Sequence, residues 1–371
     1  MALQLPDTLP RTADPQCAYF GECGGCALQD VPYEEQLAAK AAEVSRLVGR
    51  QVDIVPSPDP YSYRHRMDYV LAFGKVGLRK RGDGKSVVDL KECHLVQPRV
   101  ANIMAQVGGW IEQMGLQTYN LVTKRGDLRY LTFRHAFSSD QLMAIVVTAS
   151  EASGVEPLLQ KLAKTCESVV WSIQPRTGDT SVGIVHRIIG VETITQHIRG
   201  REFQISPNAF FQNNLLLVDA MFDRIAQYVS GFTLDLFCGL GAIGISVADR
   251  VDRLMGVEIF DENIRLAKIN AERNGVEAEF VHDNANHFLA FYEGPVPDTV
   301  VIDPPRSGLS PKLCRKLVRL GAKRIVYVSC NPATFADDLA ALEGYTLVDS
   351  LAFDMFPQTP HVEMVSLLEL A

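Results

Sequence analysis

From about residue 205 to the C-terminus, short apolar runs alternate with helix-like stretches. The runs are TLDLF, RLMGVEI, AEFVHD, DTVVID, RIVYVSC and HVEMVSLLEL. Runs of this length read as buried strands, and their alternation with helices predicts a mostly parallel sheet with helices on both faces. The stretch from Tyr61 to about Val185 has a different texture. There MDYVLAF, SVVDL, DLRYLTFRHAF, QLMAIVVT and SVVWSIQ recur as strands, with helical patterns at 99–114 and 155–166. That mixture predicts an α+β domain. Near the N-terminus, VPYEEQLAAKAAEVSRLV at 31–48 places Leu37, Ala41, Val44 and Val48 on one face of a helix, with Gly49 near its end. PSPDP at 56–60 is a linker or turn. The expected parts are an N-terminal segment (1–55), a central α+β domain (56–204) and an α/β domain (205–371).

Length and composition fit two or three globular domains. The chain has 371 residues, 47% hydrophobic and 22% charged, with a net charge of −8. MALQLPDTLPRT has no basic region followed by an apolar core, and no run approaches a membrane span. A cytoplasmic protein with no membrane association is therefore expected, with no obligate protein partner in view and a monomer as the default. The charge is unevenly spread. Residues 61–134 hold 13 Lys/Arg and 6 Asp/Glu, a net +7, between acidic stretches of −5 and −10. Aromatic residues Tyr61, Tyr63, Tyr69, Phe73, Tyr119, Tyr130 and Phe133 are interleaved with these basic residues. Cationic side chains neutralise phosphates and aromatics stack on unpaired bases, so this block is the expected RNA footprint.

Candidate chemistry concentrates at the strand ends of the last domain. In TLDLFCGLGAIGISVA an apolar strand runs past Asp235 into a turn carrying Gly239, Gly241 and Gly244, and a helix follows. Glycine lets the backbone adopt positive φ and approach a ligand at the helix N-terminus. The spacing D-x-F-x-G-x-G resembles the first motif of S-adenosylmethionine-dependent methyltransferases more than the dinucleotide fingerprint. Glu258 ends the next strand and Asp283 the third, positions suited to ribose hydroxyls and to adenine. Further on, VIDPPRSGL carries Asp303 and Arg306, VSCNPAT carries Cys330, and DMFPQTPHVE carries His361 and Glu363. Together these offer a nucleophile, a carboxylate base and a polar orienting group near one ligand-binding edge.

These four motifs, with ISPNAFFQNN at 205–214, resemble the RNA uracil-C5 methyltransferase family, and the resemblance extends over nearly the whole chain. It implies a Rossmann-like S-adenosylmethionine-dependent domain, Cys330 as nucleophile and Glu363 as general base. Its donor-binding positions fall on Gln212, Phe237, Glu258 and Asp303, with Asp235, Gly239 and Asp283 completing the expected site. The chemistry explains the residue types. Thiolate addition at C6 turns the uracil into an enolate whose C5 attacks the methyl group. A base must then remove the C5 proton so that the thiol is expelled. Arg306, Asn331 and Gln212 are candidates to stabilise charge on O4. An adenine-N6 enzyme would want an aromatic after DPP, where this chain has Arg306. A cytosine enzyme, which also uses a cysteine, would be separated by a 5-fluorouridine RNA trap. A non-catalytic RNA-binding or iron–sulfur regulatory protein would leave Cys330, Glu363 and the donor loop unexplained.

Cys17, Cys23 and Cys26 form C-x5-C-x2-C, and Cys93 follows after 66 further residues. Four thiolates suit either tetrahedral zinc or an iron–sulfur cluster, and spacing does not separate them. The family resemblance implies a [4Fe–4S] cluster. Cys166, Cys238 and Cys314 read as structural thiols. Many relatives begin with a small RNA-binding barrel, whereas 16 residues precede Cys17 here. This shorter architecture, with LQTYNLVTKRGDLRYL at 116–131, resembles the branch acting on 23S ribosomal RNA. The expected partner is therefore 23S rRNA first and tRNA second, met at an unstacked uridine.

Overall fold

A computed structural model describes residues 2–120, 122–151, 154–175 and 178–371. It is a mixed α/β structure built on two large sheets. The first has eight strands in the order Asp53–Val55, Tyr345–Phe353, Glu363–Leu370, Arg324–Ser329, Thr299–Ile302, Phe232–Leu236, Arg253–Glu258, Glu279–His282. The last five in that order are mutually parallel, as the alternating pattern predicts. Strand Glu363–Leu370 runs antiparallel to both its neighbours. The central strands are buried along their whole length, which is why they read as continuous apolar runs.

Two strands of this sheet escape the periodicity. Asp53–Val55 is three residues long and pairs in parallel with Leu351–Phe353. Tyr345–Phe353 contains a register shift between Leu347 and Asp349, which breaks its alternation. The N-terminal helix is Tyr33–Val48, ended by Gly49 at φ +75°. Its buried face is Gln36, Ala39, Lys40 and Val44, not the Leu37–Ala41 face that apolarity alone selects. It packs against helix Pro332–Ala341, so residues 33–55 lie on the first sheet.

The second sheet has seven strands, in the order Asp83–Asp89, Lys75–Lys80, Arg66–Ala72, Leu128–Ala136, Gln141–Thr148, Ser168–Ile173, Ile184–Gly190. Helix Pro98–Gln113 covers it through Val100, Ile103, Met104, Val107 and Ile111. A hairpin, Ile194–Ile198 with Arg201–Ile205, leans on helix Asp261–Arg273, where Asn270 accepts from the Gln204 amide at 2.8 Å. No helix among the described residues is long and apolar enough to cross a membrane. Leu121 of the 116–131 segment lies outside the described residues.

Candidate active site

The carboxyl edge of the first sheet gathers most of the expected residues. Leu236 pairs with Val257 and with Ile302, so Phe237, Glu258 and Asp303 stand side by side one position further on. Glu258 itself pairs with His282, which brings Asp283 to the same edge. The Gly-rich turn is held open by backbone shape. Phe237, Gly239 and Gly241 take φ of 65°, 56° and 82°. No atom lies within 4 Å of where a side chain on Gly239 would begin, so a ligand has room there. The Glu258 carboxylate accepts from the amides of Gly239 at 3.1 Å and Phe260 at 2.9 Å, which fixes it at the rim.

Asp235 sits beneath the turn and is 1% exposed. It accepts from the Gly244 amide at 3.1 Å, and burial pushes its carboxyl up to about 8. That geometry makes it a brace for the loop. Asp283 lies at the rim, accepting from its neighbour's amide and pairing with His287 at 2.7 Å. Its bond to His287 holds its carboxyl below the usual range.

The reacting end is set by strand register. Ser329 pairs with Met364 in an antiparallel ladder, so Cys330 stands across from Glu363. Gln212 donates to Asp303 at 3.4 Å, bringing ISPNAFFQNN to the same place. The fully buried Arg134 reaches from the second sheet to the carbonyls of Ser206, Pro207 and Ala209, clamping that segment; burial pulls its guanidinium down to about 9. His65 donates its amide to the Asn213 carbonyl at 2.8 Å.

The electrostatics of this corner follow from burial and like charge. Burial pushes the Cys330 thiol up to about 11, with Glu363 and Asp303 adding to it and Arg306 opposing. Glu363 is 4% exposed, and burial, then Asp303, hold its carboxyl far above the usual carboxylate range. Burial raises Asp303 to about 7. Arg306 donates to His361 Nδ1 at 2.8 Å, and Asn331 donates to the Arg306 carbonyl at 3.1 Å. Burial, then Arg306, pushes His361 down to about 4. The arrangement combines a thiol, a buried carboxyl group and a guanidinium around one opening.

Some exposed residues beside the site were not singled out by sequence. Phe210 is 65% exposed near Gln212, and Ile259 and Phe260 are 49% and 65% exposed after Glu258. For Ile259 and Phe260 the signal is an apolar pair directly following the polar strand end Glu258.

The four expected cluster ligands converge from two distant segments. Cys17, Cys23, Cys26 and Cys93 line one small cavity with Tyr19, Phe20, Leu78, Leu90 and Leu95. Burial raises all four thiols, Cys26 to about 12. Among the described residues no group of three or more His, Cys, Asp or Glu is arranged to hold a single metal ion. Gly24 docks this segment on the second sheet, its amide 2.8 Å from the Arg79 carbonyl, and Arg81 donates to the Cys26 carbonyl.

The basic block is less exposed than its composition implies. Arg129 and Arg134 are buried, as are Tyr63, Tyr69, Tyr119, Tyr130 and Phe133. Those aromatics form core, so they offer no face for bases. Arg79 pairs with Asp179 at 2.6 Å. Lys75, Lys80, Lys85, Lys124 and Arg125 stay exposed.

A family model described as tRNA (uracil-5-)-methyltransferase matches residues 176–371. The tRNA (uracil(54)-C(5))-methyltransferase of Pyrococcus furiosus is 34% identical over 359 residues, 95% of this chain and 84% of that protein. The 23S rRNA (uracil(747)-C(5))-methyltransferase of Pyrococcus horikoshii is 30% identical over 354 residues, 94% of this chain and 84% of that protein. The crystal structure of Pyrococcus abyssi tRNA (uracil-54, C5)-methyltransferase with S-adenosyl-L-homocysteine superposes with a TM-score of 0.83 at 32% identity. It covers 93% of this chain and 86% of that one.

Proposed function

The chain belongs to the tRNA (uracil-5-)-methyltransferase family and is an S-adenosylmethionine-dependent RNA uracil-C5 methyltransferase, and on that premise we propose the residues that perform the reaction. Cys330 is the nucleophile and Glu363 the general base. The observation that carries this reading is that the ladder ends at the pair Ser329–Met364, one position short of both residues, and that Cys330, Glu363 and Asp303 sense one another's charge.

S-adenosylmethionine supplies an electrophilic methyl group when bound. Gln212, Phe237, Gly239, Glu258, Asp283 and Asp303 would hold it, with Asp235 supporting the turn from below. The open space at Gly239 and the amide-anchored Glu258 carboxylate suit a ribose-bearing ligand. Cys330 adds through sulfur to C6 of the uracil, and the electron pair moves onto the C4 carbonyl. Arg306, a cation facing both reacting groups, stabilises that charge. C5 takes the methyl group as the methyl–sulfonium bond breaks and leaves a neutral thioether, and Glu363 then takes the C5 proton. The C5–C6 double bond re-forms, the C6–S bond breaks and the Cys330 thiolate leaves. Glu363 acts in its ionised form, which the Arg306 cation favours against burial and Asp303.

Glu363→Gln tests the assignment. A protein–RNA adduct that survives denaturation is expected to accumulate, with turnover down by roughly 10²–10⁴-fold. Release of methylated RNA at the normal rate would sink the base assignment.

The substrate is RNA. Relatives named for tRNA are 34–35% identical and those named for 23S rRNA 30–31%. That difference favours a tRNA uridine over the 23S uridine expected from sequence architecture. Tritiated methyl transfer to purified tRNA and 23S rRNA, followed by mapping, decides between them; label confined to 23S rRNA would reverse the order.

Cys17, Cys23, Cys26 and Cys93 hold a [4Fe–4S] cluster. Support comes from four thiols of two distant segments converging on one small cavity. Anaerobic purification with iron and sulfide analysis tests it. A colourless protein with stoichiometric zinc would overturn it.

A further inference from the structure

The loop ahead of Glu363 is held from several directions at once. Lys40 Nζ lies 2.6 Å from Asp354 Oδ1 and donates to the Phe356 carbonyl at 3.2 Å. Both side chains of that ion pair are fully buried. One turn earlier on the same helix face, Gln36 donates to Gln358 Oε1 at 3.0 Å and accepts from the Gln358 amide at 3.1 Å. The cysteine segment grips the same residue, since the Ala27 and Leu28 amides donate to the Gln358 carbonyl at 2.7 and 3.1 Å. Tyr63 of the central domain donates to the Pro357 carbonyl at 3.0 Å. Gln358 takes φ +65°, a conformation that a non-glycine residue keeps only where its surroundings over-determine it.

A buried ion pair is a weak source of net stability, because desolvation offsets the attraction. Its better-attested use is to select one arrangement among several. The arrangement selected here is that of the chain leading to His361 and Glu363. Resting on Glu363 as the base, we propose that Gln36 and Lys40 are positioning residues for it. They act through the 354–360 loop to keep the carboxylate within reach of the C5 proton. The cysteine segment braces the same loop through Ala27 and Leu28, which gives that segment a role in resolving the covalent adduct.

The double substitution Lys40→Met with Asp354→Leu removes both charges and leaves neither buried alone. In single turnover with substrate RNA, the adduct should form at close to the wild-type rate. Its decay should slow on the order of 10- to 100-fold, the effect of a small misplacement of a catalytic group. In a Glu363→Gln background the same pair of changes should add nothing to the elimination defect. Equal slowing of formation and decay, or a defect that adds to Glu363→Gln, would show a merely structural role and overturn the proposal. If Glu363→Gln alone fails to hold the adduct, the base assignment falls instead. Should the double variant not fold, Gln36→Ala removes the amide brace without stranding a charge and carries the same readouts.

Discussion

At the scale of single residues, the proposed nucleophile is a thiol in an unfavourable place. To attack as proposed, Cys330 would have to be ionised, yet burial and two carboxyl neighbours push it up to about 11. Alkylation of Cys330 by iodoacetamide, followed by peptide mass analysis, should therefore climb steeply between pH 8 and 10, by about tenfold per unit. Glu363→Gln removes a negative neighbour and should move that rise to lower pH; an unmoved profile would mean the two groups do not sense each other. Cys330→Ser should lower turnover by on the order of 10³-fold or more while leaving donor binding by calorimetry intact. Cys330 and Asp303 stood out because each is a polar or reactive residue just after an apolar strand, and Glu363 because it is a carboxylate opening one. Gln36 and Lys40 did not. A lysine and a glutamine on a helix read as solvent-facing until their partners are known, and those partners lie more than 300 residues away.

Elements position these residues through turns more than through their own length. The Gly-rich turn ends one strand, opens one helix and keeps a space over Gly239. Gly239→Ala meets nothing within 4 Å in the free protein, so packing gives it no reason to unfold. The positive φ costs about 1–2 kcal/mol, measurable by denaturant titration. The larger loss should be in donor affinity, at least about tenfold by calorimetry, since the methyl group would occupy space meant for a ligand. Unchanged affinity would remove this turn from the donor site. The parallel strands were legible because burial on both faces leaves an unbroken apolar run. Strand Tyr345–Phe353 was not, because a bulge and half-exposed positions blur its alternation.

At the scale of the whole molecule, net charge and its local sign separate two jobs. The proposed reacting residues lie in an acidic stretch, and the basic stretch presents Lys75, Lys80 and Lys85 on the edge strand of the second sheet and its neighbour. Replacing these three with alanine should weaken RNA binding and make it less sensitive to salt. The log–log slope should fall by roughly 0.7–0.9 for each phosphate that is no longer neutralised. The salt slope, measured by titration at several ionic strengths, would stay fixed if RNA binds elsewhere. Composition revealed this stretch but not which of its members face water, since Arg129 and Arg134 proved to be interior braces. The edge strand Asp53–Val55 carries a last consequence, for synthesis. It leaves the ribosome early, yet its partner Leu351–Phe353 is made about 300 residues later. At 5–20 residues per second that is a delay of roughly 15–60 s. During that interval strand Asp53–Val55 has no partner and helix Tyr33–Val48 has no surface to cover, so both stay open to wrong pairing until the later strands are made.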